Sequence, residues 1–347
     1  MKFSYAIGNP PYQETKGGTK NVDIWPEFVK ESTRIADKSC MIHPGRWVFA
    51  KKNAKKLQSE LINDYSLKTF NYFPNADSCF SNIGLDGGVS ITLFDKNYKD
   101  TPTYCIDGDF KGKFNTDSII FTADTFKEAY EKIINKVFSN ASEIETKNMF
   151  QYVRGSIGSI GNCSFGVDKR QNGDKIFETS DGMKEPIKAW INMQIAHSRG
   201  EFNWLYIDKC NLLNYPDYLF SSRKVMITSH GHSCAAVKGN VFNNNPQICD
   251  KYSTAVDVLW FYPAHDTDRE LKLIKSLLMT KTARFLMCIK QRDRCCMGFE
   301  CIPDYLELAK LLPEDELFTD KWFYKTFDFS KGLINEIETR VSEKVEK

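Results

Sequence analysis

No run of the 347 residues is apolar over the roughly 20 positions that a membrane-spanning helix needs, and Lys2 leads into a mixed segment instead of an apolar leader. Neither a membrane partner nor a secretory signal is therefore expected, and the chain reads as cytoplasmic. Charge of one sign is also lacking. The formal net charge is +2, so no global basic field advertises nucleic acid, and any such surface must be a local patch. None of the eleven cysteines stands in a CxxC pair, and their number is odd. That argues against a zinc ribbon or a disulfide framework and suits reduced thiols. Metal ligands are scarce too. His230, His232 and Cys234 alternate, but no fourth ligand follows at zinc spacing, and no metal is expected.

What is present is ordinary for a globular protein. Apolar residues make up 41% and charged residues 27%. The length suggests two domains. Residues 3 to 13 read as a short apolar strand that empties into Asn9-Pro10-Pro11-Tyr12. A polar loop with Gly17-Gly18 follows, then Asp23 as a helix N-cap, with Ile24, Trp25, Phe28, Val29 and Ile35 on one helical face. Cys40-Met41-Ile42 is a second strand stopped by His43-Pro44-Gly45. Lys51, Lys52, Lys55 and Lys56 open an amphipathic helix through Leu57, Leu61 and Ile62. Residues 67–73 and 88–94 are two more strands. Strands alternating with helices argue an α/β fold with a parallel, helix-covered sheet.

Residues 126–138 carry the clearest helical period of the chain, and the helix is expected to bridge two domains, 1–140 and 141–347. Beyond it the texture becomes α+β. Short β-like runs occupy 149–153, 202–207, 218–228 and 255–262. Thr267-x-x-Glu270 reads as a capping box, and Ser330 caps a last amphipathic helix.

Chemistry points to the first loop. An exocyclic amine conjugated into a purine ring is a poor nucleophile. Two acceptors aimed at its N–H groups localise the nitrogen lone pair for attack. The Asn9 side-chain oxygen and the Pro10 carbonyl are such a pair. Consecutive prolines fix φ, so Pro10 and Pro11 hold both acceptors with little reorganisation. Tyr12 offers a flat face to an extruded base, and Gly8 admits close approach of backbone or base.

Asn-Pro-Pro-Tyr, with "MIHPGRW", "FNYFPNADSCF" and "GGVSITLFDK" in that order after it, resembles the Eco57I-like restriction-modification methylases, which are adenine-N6 DNA methyltransferases. The resemblance covers residues 1–100 well and 200–345 more loosely. It implies the second half of the methyltransferase sheet followed by an α+β target-recognition domain. It also implies catalytic roles for Asn9, Pro10, Pro11 and Tyr12, S-adenosylmethionine as cofactor and double-stranded DNA as partner. The family's Asp/Phe-x-Gly-x-Gly cofactor turn has no counterpart here. Gly155-x-x-Gly158-x-x-Gly161 has another spacing and no buried strand feeding it. Gly8 is the one residue offered toward the cofactor, and a partner chain carrying the Gly-x-Gly half is expected. The isolated chain is then expected to bind the cofactor weakly or not at all, and residues 3–7 to present a surface that another chain covers.

Lys281, Arg284, Lys290, Arg292 and Arg294 stand against one acid, Asp293, and are the candidate DNA-phosphate contacts. A solvated helix end is the alternative. Glu143 and Glu145 before Lys147 touch on a nuclease pattern but lack a partner Asp on a strand. Two other functions stay open: a DNA-binding specificity or decoy subunit without catalysis, and a protein glutamine N-methyltransferase, whose motif Asn-Pro-Pro-Tyr also resembles.

Overall fold

A computed structural model describes residues 3–16, 20–49, 55–80, 85, 87–114, 119–155, 177–192, 202–208, 221–228, 241–242, 245–255, 258–290 and 298–342. The chain divides into two units: Met1–Asp124 with two short later segments, and the remainder from Thr125 onward.

The first unit is built on a six-stranded mixed sheet. Its strands are β1 (Phe3–Gly8), β4 (Ala36–Pro44), β5 (Leu67–Phe73), β6 (Val89–Asp95), β7 (Thr103–Ile106) and β8 (Asp109–Lys113), in the spatial order β1-β4-β6-β5-β7-β8. β1 and β4 are parallel, as expected for strands joined through a helix, here α1 (Trp25–Ile35). The expectation of a wholly parallel sheet fails at β6, which runs antiparallel to both β4 and β5. The physical reason lies in the connection. Between β5 and β6 the described residues hold only a short 3₁₀ turn, Ala76–Ser78, and parallel return needs a crossover, usually a helix. β7 and β8 close a hairpin over Asp107 and Gly108, both at positive φ.

Local expectations differ in three places. The segment after Tyr12 is not a plain loop but a hairpin of β2 (Gln13–Lys16) and β3 (Lys20–Asp23), with residues 17–19 outside the described ones. Asp23 does not cap α1. Its carboxylate instead accepts from Gln13 Nε2 at 2.9 Å and pairs with Arg46 at 3.2 Å, and Ile24 stands at the cap. The lysine-led helix is short, α2 (Lys55–Ser59), and widens into a π turn over Glu60–Asp64.

The core of this unit lies on one face of the sheet. Trp25 and Val29 of α1 meet Met41, Phe70, Tyr72 and Phe94, and Trp47 stands edge-on to Phe70 at 4.9 Å. The alternation of β4 explains this, since Ser39, Met41 and His43 are buried and Lys38, Cys40 and Ile42 are not.

The second unit takes α3 (Asp124–Val137), the helix that the sequence reading places at the end of the first domain. Phe126 stacks on Phe285 with ring centres 4.2 Å apart, and Lys136 Nζ donates to Thr326 O at 2.6 Å. Residues 149–152 form a 3₁₀ turn, not a strand, and lead into β9 (Val153–Gly155). β10 (Pro186–Asn192) and β11 (Phe202–Asp208) pair antiparallel, with β14 (Ser253–Ala255) beside β10. β12 (Lys224–Thr228), β13 (Gln247–Cys249), β15 (Val258–Phe261) and β9 form a second sheet.

Helices α4 (Asp268–Met279), α5 (Lys281–Cys288), α6 (Tyr305–Ala309), α7 (Asp320–Thr326) and α8 (Lys331–Arg340) complete the unit. Thr267 Oγ1 accepts from Glu270 N at 3.2 Å, yet the Glu270 carboxylate turns to His265 and Tyr305, so only half of the capping box forms. Ser330 caps α8 through Leu333 N. Cys288 is disulfide-bonded, whereas Cys40, Cys79, Cys105, Cys249 and Cys301 are free thiols. No described helix is long and apolar enough to cross a membrane.

Candidate active site

The strand β1 delivers Asn9-Pro10-Pro11-Tyr12 at its carboxyl end, where sites of α/β sheets sit. Gly8 pairs with Met41, and a Cβ there would stand 3.2 Å from Met41 Sδ, so the backbone leaves the sheet close to β4. The loop is held at its far end as well, since Tyr12 O accepts from Ile24 N at 3.1 Å just before α1. Asn9 and Pro11 are exposed, while Pro10 and Tyr12 are half-buried. All four residues line one cavity of about 290 Å³ together with Phe80, Leu85 and Val89. The four residues of the loop therefore share one recess whose other described walls, Phe80, Leu85 and Val89, are apolar.

Burial, and then the neighbouring Cys79, raise the Tyr12 phenol above its ordinary value, so it stays neutral. The Cys79 thiol is itself raised by burial and by Asp107, which keeps it from acting as a thiolate nucleophile.

Behind the recess stands a polar knot that the sequence reading did not single out. His43 is fully buried at the end of β4. Its Nε2 meets Thr92 Oγ1 at 2.9 Å, its Nδ1 meets Ser90 Oγ at 3.2 Å, and Trp47 Nε1 donates to the same Ser90 oxygen at 2.8 Å. Burial pushes the imidazole down to about 3, so it is neutral at physiological pH. Two glycines let the strand ends close over it. A Cβ at Gly45 would lie 2.5 Å from the Tyr72 ring, and one at Gly88, which has φ +67, would lie 2.2 Å from Phe73 O. Gly45 N donates to Gly88 O at 2.9 Å. The one sequence signal for this knot is the turn His43-Pro44-Gly45 itself.

The structure corrects Lys281 and Arg284. Every residue of α5 is buried, so its cations must find partners inside. Lys281 Nζ pairs with Glu338. Arg284, wholly buried, donates to Thr280 O at 3.2 Å, Met279 O at 3.0 Å and Ser342 O at 2.6 Å. They are ties between helices and are not open to phosphate. Lys290 is half-buried just after α5, and Arg292 and Arg294 lie outside the described residues. The Gly158–Gly161 stretch and His230, His232 and Cys234 lie outside them too. Glu143 is a capping residue, accepting from Asn140 N and pairing with Lys147 at 2.6 Å, which leaves the nuclease pattern a structural role.

Residues 1–80 match the model of the Eco57I restriction-modification methylase family. The family resemblance carried by Asn9-Pro10-Pro11-Tyr12 thus holds over that segment. A curated relative, described as an uncharacterized adenine-specific methylase of Mycoplasma pneumoniae (strain ATCC 29342 / M129 / Subtype 1), is 28% identical over 155 residues, which cover 38% of this chain and 37% of the relative. The chain therefore spans well under two thirds of that relative's length. Among solved structures, the type IIL restriction-modification enzyme MmeI in complex with DNA aligns over 96% of this chain and 53% of its own, at 9% identity and a TM-score of 0.40. The type IIG restriction endonuclease BpuSI aligns over 93% and 50%, at 10% identity and a TM-score of 0.33.

Proposed function

We propose that this chain is the amine-orienting and target-reading part of an adenine-N6 DNA methyltransferase of a restriction-modification system. The observation that carries the reading is the recess in which Asn9, Pro10, Pro11 and Tyr12 stand together with Phe80 and Leu85. The family match over residues 1–80 and the adenine-specific description of the relative support the same substrate class.

In this reading an adenine leaves the duplex and stacks on Tyr12, with Phe80 and Leu85 as the apolar walls. The Asn9 amide oxygen and the Pro10 carbonyl accept from its exocyclic N–H groups and localise the lone pair. The neutral His43 knot holds the ends of β4 and β6 in place behind them. The amine proton leaves to solvent after transfer.

S-adenosylmethionine supplies the electrophilic methyl group in chemistry of this kind. The described residues do not form a cradle for it. Beyond Asn9 the far side of β1 carries no described strand, and Asp23, the first aspartate after the motif, is engaged by Gln13 and Arg46. The reading assigns to this chain the residues that hold the base, and Lys290, Arg292 and Arg294 remain its proposed phosphate contacts.

The test uses the chain purified from its own host with whatever travels with it, incubated with methyl-labelled S-adenosylmethionine and duplex DNA. N6-methyladenine in the digested DNA, lost in Asn9→Ala, is the expected result. Label on protein glutamine would support a protein N-methyltransferase instead. DNA binding without label in either would leave a specificity subunit.

A further inference from the structure

The end of the sheet away from Asn9 holds a second, larger cavity. β6 runs from Val89, in the wall of the recess, to Asp95, a strand of seven residues and so about 20 Å. β5 is antiparallel to β6, and its first residue, Leu67, lies opposite Phe94 at that far end. There a cavity of about 850 Å³ opens, of the size that small-molecule sites have. One stripe of α2 and its π turn makes a wall. Lys55, Gln58, Ser59, Ile62 and Asn63 follow at helical spacing. The loop of residues 98–102, Leu67 and Phe114 supply most of the rest.

Gln58 is the group that points to a ligand. It is only 2% exposed, yet it lines the cavity. Its Nε2 donates to Trp47 O at 3.3 Å and to Val48 O at 3.2 Å. The amide is therefore fixed, because a flip would set its oxygen against two carbonyl oxygens. Its Oε1 accepts from no described residue. A buried acceptor left without a donor is unfavourable, and a bound N–H group is the partner it lacks.

The remaining lining divides in two. Leu67 and Phe114 are buried and, with Ile62 and Pro102, form an apolar wall. At the rim Lys55 and Lys99 are exposed. Asp100, the one acid among the described lining residues, does not cancel them. Its carboxylate accepts from Thr101 N at 2.7 Å and pairs with Lys113 at 3.3 Å. Ser59 Oγ accepts from Asn63 Nδ2 at 3.1 Å and keeps its own proton to donate.

We propose that this cavity binds a nucleotide, with the ring against Leu67 and Phe114, a ring N–H donating to Gln58 Oε1, and the phosphate at Lys55 and Lys99. Ser59 then faces the sugar. A bare phosphate leaves the apolar wall and the amide oxygen unused, and an uncharged ring leaves the two cations unused. The site lies the length of β6 from the recess and stands apart from whatever the recess does.

The test is titration calorimetry of the purified chain with adenosine, guanosine, cytidine and uridine 5′-monophosphates, and with ribose 5-phosphate and the bare nucleosides as controls. At least one mononucleotide is expected to bind, and its controls to bind about 10-fold more weakly or worse, as for loss of a well-formed charged contact. Lys99→Glu changes an exposed side chain, so the fold is kept, and Ser59→Trp fills the cavity from the helix side. Each should weaken binding by about 10-fold or more. Lys56→Glu, on the same helix but outside the lining, and Tyr12→Ala, in the recess, should leave it unchanged.

A 5′-phosphorylated single-stranded tetranucleotide distinguishes the sources. Tighter, competing binding assigns the nucleotide to the end of a strand, failure to compete assigns it to a free nucleotide, and either upholds the site. No binding of any mononucleotide would overturn the inference, as would equal binding of ribose 5-phosphate, or affinity unmoved in Lys99→Glu or in Ser59→Trp. Loss in Tyr12→Ala would place the nucleotide in the recess and overturn it too. Because calorimetry reads no turnover, a chain that binds nucleotide but methylates nothing counts only against the methyltransferase reading.

Discussion

The indole of Trp25 lies flat on the imidazole of His43, with ring centres 4.1 Å apart and planes 5° from parallel. The stack joins α1 to the end of β4, directly behind the loop that carries Asn9. Burial holds His43 uncharged in that stack, since a buried imidazolium costs more desolvation than the indole and two hydroxyls around it return.

That gives a pH dependence with a defined sign. His43 titrates near 6.5 when unfolded and at about 3 when folded. Between those values the unfolded chain binds the extra proton, so stability falls as pH drops below about 6.5, by at most about 1.4 kcal/mol per pH unit. Urea midpoints of the wild type should fall more steeply from pH 7 to pH 5 than those of His43→Gln. Parallel slopes would mean that His43 is not the group responsible.

At the recess, Asn9→Ala is expected to lower methyl transfer by about 10²-fold or more, as for loss of one hydrogen-bonding group at a reacting centre. DNA affinity should barely move, because Asn9 acts on the amine and not on the duplex. Undiminished turnover in the purified complex would remove Asn9 from the mechanism.

Stacking on Tyr12 is expected to contribute roughly 1–3 kcal/mol to holding an extruded base. Tyr12→Ala should therefore weaken binding to a duplex with a mismatched target, and Tyr12→Phe should be mild. Equal losses in a fluorescence titration would point to the phenolic hydroxyl.

The glycines make an internal comparison. Gly88 and Gly108 both have positive φ, but a Cβ at Gly88 meets Phe73 O at 2.2 Å while one at Gly108 meets nothing within 4 Å. Gly108→Ala should cost only the backbone strain, about 1–2 kcal/mol. Gly88→Ala should cost clearly more, and should also disturb the recess through Val89. Similar unfolding midpoints for the two variants would contradict the close approach at Gly88.

Arg284 and the pair Arg292 and Arg294 should separate cleanly. Arg284→Gln strands three buried carbonyls and is expected to destabilise by about 3 kcal/mol or more, with no change in the salt dependence of DNA binding. Replacing Arg292 and Arg294 together by Gln should flatten the slope of log affinity against log salt by up to about two units. A flattened slope from Arg284→Gln in the folded protein would restore it as a phosphate contact.

The sequence by itself determined what is local. The apolar run of residues 3–7, the alternation of 89–94, the φ-locking prolines at 10 and 11, and the period of 126–138 specify strands, a rigid loop and a helix from neighbours alone. The catalytic candidates were legible for that reason: they are four consecutive residues whose chemistry and geometry come from one another. Tertiary structure decided everything that depends on partners far along the chain. Glu338 for Lys281 and Ser342 for Arg284 lie more than fifty residues away. No charge count over residues 281–294 could tell that α5 is buried on every side. The same holds for Trp25 on His43, for the reversal of β6, and for the open flank of β1. Burial and strand direction are set by which surfaces meet, and a periodic pattern states only that an element has an apolar side, not what that side will find.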